Sequence, residues 1–193
     1  MAMPRIAPIR QQRFWTVDAL ERLPNDGNRY EILHGELLVT PLPSGGHQGV
    51  AGRLFFILSR WCREHTGWAV RAPGGVYISQ TSWLEPDVAV YPAPEYDDLD
   101  WRDMPTPLLV VEVASRSTRK RDRHQKRPAY LAHGVIEVWT IEKKTRVIER
   151  WTSASEFPET LHGSITWQPD TTKPALVVSE AELFGPPTIS VVR

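Results

Sequence analysis

Cysteine, net charge and long apolar runs are all scarce in this chain, and each shortage excludes something. A single cysteine, Cys62, rules out an internal disulfide and any cysteine-rich zinc site. With 23 Lys or Arg against 23 Asp or Glu, the global charge points to no polyanionic partner. No stretch approaches the roughly 20 apolar residues of a membrane helix. The N-terminal "MAMPRIAPIRQQRFW" lacks the apolar segment of a secretory signal. The expectation is a cytoplasmic protein. At 193 residues, with 41% hydrophobic and 24% charged, the chain reads as one soluble globular domain able to bury a sizeable core.

The charge that is present is unevenly spread. "EYDDLDWRD" (95–103) is acidic, and "RSTRKRDRHQKR" (116–127) holds seven Lys or Arg against one Asp. Such runs are commonly solvated surface; a basic one can also meet phosphates and release their counterions.

Periodicity and turn residues divide the chain into elements. "TVDALERL" (16–23) predicts a short helix with Thr16 as N-cap. "YEILHGELLVT" (30–40) predicts two strands pivoting at Gly35. Val50, Leu54, Ile57, Leu58 and Trp61 recur at helical spacing, predicting a helix over about 47–66 after the loop "PLPSGG". "WAVRA", "GVYIS", "EPDVAVYP" (85–92) and the valine-rich run from Leu108 read as strands. A helix capped by Ser117 or Thr118 follows, reaching about Ala132, with Pro128 inside it as a kink. "IEVWTI" and "TRVIERW" are strands around a turn at 142–144. From about Ser153 the proline-rich end predicts peripheral strands and a short helix in "SEAELF". The pattern is α/β or α+β: a central mixed β-sheet flanked by helices.

Two of these strands carry a carboxylate among apolar residues, which costs several kcal/mol unless it is compensated. In "LLVVEVAS", Glu112 shares a face with Val110 and Ala114. In "EPDVAVYP", Asp87 shares a face with Glu85 and Ala89. If the strands are neighbours the carboxylates converge. They can then share a proton, bind Lys or Arg, or hold a hard cation. Asp122, Lys126 and Tyr130, at i, i+4 and i+8, lie on one side of the next helix, so Lys126 can reach back. Spacing alone leaves a structural Glu112–Lys126 ion pair as open as a catalytic site.

Several motifs in order, "RYEILHGEL", "HQ" opening a helix, "EPDVAVYP", "LLVVEVASRST", "RDRHQK" and "AYLAHGVIEVWTI", resemble those of the Uma family of endonucleases, a branch of the PD-(D/E)XK nuclease superfamily. The resemblance covers about residues 14–152. It implies a single restriction endonuclease-like domain over 1–193, with 153–193 a peripheral C-terminal extension. It implies that Asp87, Glu112 and the carbonyl of Val113 hold Mg²⁺ or Mn²⁺ for hydrolysis of DNA. The superfamily pattern wants a lysine two residues after the second acid, where this chain has Ala114. The resembled family draws it from the following helix, pointing to Lys126 rather than Lys120 or Gln125. Glu36 and His47 also match family positions. Glu36 can be a third acid or a surface strand residue. His47 can bond a phosphate, orient Glu36 or make a local helix bond. Ser115 and Ser117 can meet phosphate or cap the helix. Arg116, Arg119, Lys120 and Arg123 would receive the DNA backbone, and a homodimer would suit duplex cleavage.

Two other readings compete with an endonuclease. One is an inactive nuclease-fold module that binds nucleic acid or a protein partner. The other is a glycosidase carboxylate pair, which has no need of the lysine.

Overall fold

The structure is a computed structural model, which describes residues 14–92, 99–115 and 118–185. In chain order its strands and helices are β1 (Arg29–Leu33), β2 (Glu36–Thr40), α1 (Gly45–Glu64), β3 (Trp68–Arg71), β4 (Val76–Ser79), β5 (Ser82–Leu84), β6 (Val88–Pro92), β7 (Leu109–Ala114), α2 (Arg119–Arg121), α3 (Arg127–Ala132), β8 (Glu137–Glu142), β9 (Val147–Thr152), β10 (Glu159–Leu161), β11 (Ser164–Trp167), β12 (Leu176–Ser179) and α4 (Glu180–Phe184). They fall into two compact units, one of Met1–Leu42 with Tyr77–Leu84, the other of Pro43–Val76 with Glu85–Arg193.

The first unit is built on a hairpin. β1 and β2 pair antiparallel, from Arg29 opposite Thr40 to Leu33 opposite Glu36. The two connecting residues, His34 and Gly35, have φ of 51° and 81°. Two consecutive left-handed residues make the turn whose twist matches a hairpin, and glycine fills one of them without strain. β5 and β4 extend the sheet in the order β2-β1-β5-β4. β5, three residues long, was too short to show alternation in the sequence. Before β1, the expected helix is a 3-10 turn, Val17–Arg22, and Thr16 makes no side-chain cap bond. Trp15, Ala19 and Ile32 form this unit's core.

The second unit holds a six-stranded sheet in the order β10-β9-β8-β7-β6-β3. β7 and β8 run parallel and the other neighbours antiparallel, so the sheet is mixed as expected. All six residues of β7 are buried. A strand covered on both faces needs apolar side chains on both, hence the run of valines. α1 buries Val50, Leu54, Ile57, Leu58 and Trp61 in one core with Val88, Val90, Val111, Val113, Trp139 and Ile141. It starts at Gly45, earlier than periodicity alone indicated, because Ser44 caps it by accepting the His47 N–H.

Two expectations differ from what is found. The segment beyond Ser153 is not all peripheral: Ile165, Trp167, Leu176, Val178 and Leu183 belong to the main core. β11 and β12 pair antiparallel and bury alternate residues, but four-residue strands among prolines carry too little periodicity to read. The helix after β7 is also not simply kinked. Between α2 and α3, Asp122–Lys126 forms a π-helical turn, and the Arg127 N–H bonds the Asp122 carbonyl five residues back. Pro128 explains this. It has no N–H and its ring crowds the carbonyl four residues earlier, and widening the preceding turn absorbs the conflict.

β8 offers a test of burial. Glu137 accepts a 2.9 Å bond from Trp139 Nε1, yet burial holds its carboxyl above the ordinary 4.5, outweighing that bond. A carboxyl raised on folding binds more protons folded than unfolded, so stability falls as pH rises from the unfolded pKa through the folded one. Glu137→Gln, which keeps an acceptor for Trp139, is therefore expected to be more stable than the parent at pH 7. The gain should disappear below pH ~4. Urea unfolding at both pH values checks this, and an equal gain at both would contradict it.

Candidate active site

β6 and β7 are antiparallel neighbours, with Val88 opposite Val111 and Val90 opposite Leu109. One step further along that register, Asp87 faces the position of Glu112. Asp87 lies in the bend just before β6 rather than within a strand. Both carboxylates are buried, at 5% and 3% exposed.

Glu112 is compensated from the helical segment after β7. Lys126 Nζ lies 3.2 Å from Glu112 Oε1, and the Tyr130 hydroxyl donates to the same oxygen at 2.8 Å. Lys126 is itself buried and stands 3.9 Å from Asp122 Oδ1. The three residues read as one helical side do converge, although the turn carrying them is π rather than α.

Asp87 is held differently. Its Oδ2 accepts the backbone N–H of Val113 at 2.8 Å, which ties the β6 end to β7. His47 Nε2 stands 3.0 Å from the same oxygen. The first turn of α1 thus reaches Asp87, a contact that the sequence reading of His47 did not include. Two polar atoms beside the carboxylates, His47 Nδ1 and Thr140 Oγ1, are buried without a hydrogen-bond partner among the described residues. Thr140 is the register partner of Glu112 on β8.

The other expected residues are distributed as follows. Glu36 is exposed, on β2 in the first unit. On the same face of that hairpin, further from the turn, Glu31 is fully buried. An acid inside "RYEIL" carries the same sequence signal as Glu112 in its strand. Arg119 Nη1 bonds Glu142 at 3.0 and 3.3 Å, and Arg123 grips Glu149 with two bonds of 2.9 and 2.6 Å. The basic run is therefore partly neutralised by the sheet. Lys120 is exposed, while Arg116 and Ser117 lie outside the described residues. Ser115 and Thr118 exchange backbone and hydroxyl bonds at the helix start. Trp139 and Trp151 are buried.

Among the described residues no three His, Cys, Asp or Glu side chains cluster as a protein cage for a metal. The carboxylates of Asp87 and Glu112, opposed in the β6–β7 register, form an incomplete, all-oxygen donor set. That suits Mg²⁺, which takes oxygen ligands and keeps several waters. The unmet polar atoms on either side can bond such waters. The residues present fit the ion.

Among the described residues, no helix is long and apolar enough to cross a membrane. Comparison with solved structures finds a protein from Anabaena variabilis titled "a putative nuclease belonging to DUF820". It is 16% identical, the match covers 88% of this chain and 97% of that one, and the TM-score is 0.73. At that identity the likeness establishes the fold. No curated protein matches the chain. The Uma2 family, described as "Putative restriction endonuclease", matches residues 17–180. That match takes in both carboxylates and the lysine, and the chain belongs to the Uma2 family.

Proposed function

We propose that the chain is a metal-dependent endonuclease that hydrolyses phosphodiester bonds in DNA. The observation that carries this is the buried pair Asp87 and Glu112, facing each other across β6 and β7 with Lys126 on Glu112. Family membership supports a nuclease and a nucleic-acid substrate. Glu112 has its cation in Lys126, and a second buried carboxylate, Asp87, stands opposite it in the β6–β7 register beside His47.

Asp87, Glu112 and the Val113 carbonyl would hold Mg²⁺ or Mn²⁺. When bound, the ion polarises the phosphate and makes a coordinated water more acidic. The chain supplies rigidity and charge. β7 fixes Glu112 in a packed strand, and the Val113 amide and His47 fix Asp87. The Lys126 ammonium, held between Glu112 and Asp122, orients the attacking water or meets negative charge as it develops on the phosphate. Reactions at phosphorus depend mainly on such positioning and electrostatics. A homodimer would let two such sites address both strands.

The test is incubation of the purified protein with plasmid DNA and Mg²⁺ or Mn²⁺, with EDTA as the comparison. Nicking or linearisation that requires the ion is expected. An intact plasmid with both ions, or cutting equally fast in EDTA, would remove the proposal.

A further inference from the structure

We infer that a cavity beside the start of α1 takes a backbone phosphate of the nucleic-acid strand, with Lys143 as its principal cation. The inference rests on the nuclease reading above and assigns the substrate contact to residues outside the basic run. The cavity, of about 280 Å³, is lined by Gly45, Gly46, Gly49 and Arg53 of α1 and by Lys143 and Arg146 of the β8–β9 turn.

Three cationic side chains from two elements meet at this cavity, and little balances them. Arg146 is 3.5 Å from Glu180, and Arg53 donates to the uncharged Leu183 carbonyl at 3.0 Å. Lys143 has neither hydrogen bond nor ion pair among the described residues. Its ammonium rests on Gly46 so closely that a Cβ there would lie 1.7 Å from Nζ. The Lys143 side chain is exposed, so water and no protein acid solvates this cation, leaving it open to an anion. The helix start carries about half a positive charge from its aligned peptide dipoles, and the first turn of α1 has no acidic residue to offset it. An anion between them is attracted by the three cations and by the helix start.

The chemistry favours phosphate, which accepts from ammonium, guanidinium and helix-start N–H groups together. Bare glycines let such a group approach the backbone. The position favours a phosphate belonging to a strand. His47 directly follows Gly46 and lies 3.0 Å from Asp87, so the same helical turn borders both the cavity and the carboxylate pair. Arg119 and Arg123, the other obvious strand contacts, already face Glu142 and Glu149.

The test measures binding of a labelled DNA duplex by fluorescence anisotropy across a salt series, with EDTA present to prevent cleavage. Lys143→Glu should weaken binding about tenfold at low salt and lower the slope of log K against log salt by about 1. Gly45→Asp separates the ligand from the fold. Nothing lies within 4 Å of a Cβ at Gly45, and an acid at a helix start favours the helix. This variant should melt no lower than the parent yet bind duplex several-fold more weakly. Parental affinity in both variants would overturn the inference, as would absence of salt-dependent duplex binding by the parent. So would inorganic phosphate raising the parental melting temperature through Lys143 without competing for duplex. Lys143-dependent binding by a protein that cuts nothing with Mg²⁺ would support the inference while removing the nuclease reading.

Discussion

Asp87→Asn is expected to slow plasmid cleavage by at least about a thousandfold, since several kcal/mol of lost charge stabilisation is about three decades in rate. The substitution should leave the protein folded. Asparagine keeps an oxygen for the Val113 N–H, now met by Asp87 Oδ2 at 2.8 Å. The same oxygen stays 3.0 Å from His47 Nε2 and can accept its N–H as well. Alanine would confound the experiment. It strands a buried N–H, which costs about 1–3 kcal/mol whether or not the site is catalytic. Loss of cleavage in Asp87→Asn with a melting temperature near that of the parent therefore isolates the charge. Parental cleavage by Asp87→Asn would remove Asp87 from the reaction.

Glu112 was legible in the sequence because it interrupts an apolar run read as a buried strand, and Asp87 because it directly precedes another, in the bend before β6. β7 was the clearest element, being buried on both faces. That Lys126 can meet Glu112 was also legible, though by an imperfect route. The spacing assumed an uninterrupted α-helix, whereas Pro128 forces a π turn and only the side chains' common direction survives. What was not legible is non-local. His47 and Asp87 are 40 positions apart, and only the packing of α1 on the sheet brings them together. Arg119 and Arg123 looked like free basic charge because their acids, Glu142 and Glu149, lie on strands over 20 residues later. The lysine now assigned to the strand, Lys143, sits in a turn whose spacing carries no periodic signal. Its relation to Gly46 exists only after β8 has paired beside β7.

Lys126→Met should destabilise the protein by about 3–5 kcal/mol, because it removes the cation from a buried pair and leaves the Glu112 carboxylate uncompensated. Asp122, also buried and 3.9 Å from Nζ, loses the same cation. The double variant Glu112→Gln/Lys126→Met should recover a large part of that loss. A neutral amide costs less to bury and can still accept the Tyr130 hydroxyl, so the two substitutions should couple by more than about 1 kcal/mol in a urea-unfolding cycle. Lys126→Met with parental stability would mean that the lysine does not compensate Glu112. The same protein also separates a purely structural ion pair from a cation site. If Asp87 and Glu112 can hold Mg²⁺, saturating Mg²⁺ should return stability to Lys126→Met by mass action, about 2.7 kcal/mol at a hundred times the Kd. It should return less to the double variant, which lacks one carboxylate. A structural pair predicts no such rescue, since an ion with no affinity for the native state shifts nothing. Equal stability of Lys126→Met in Mg²⁺ and in EDTA would therefore leave Glu112 as a buried salt-bridge partner and withdraw it from the metal site.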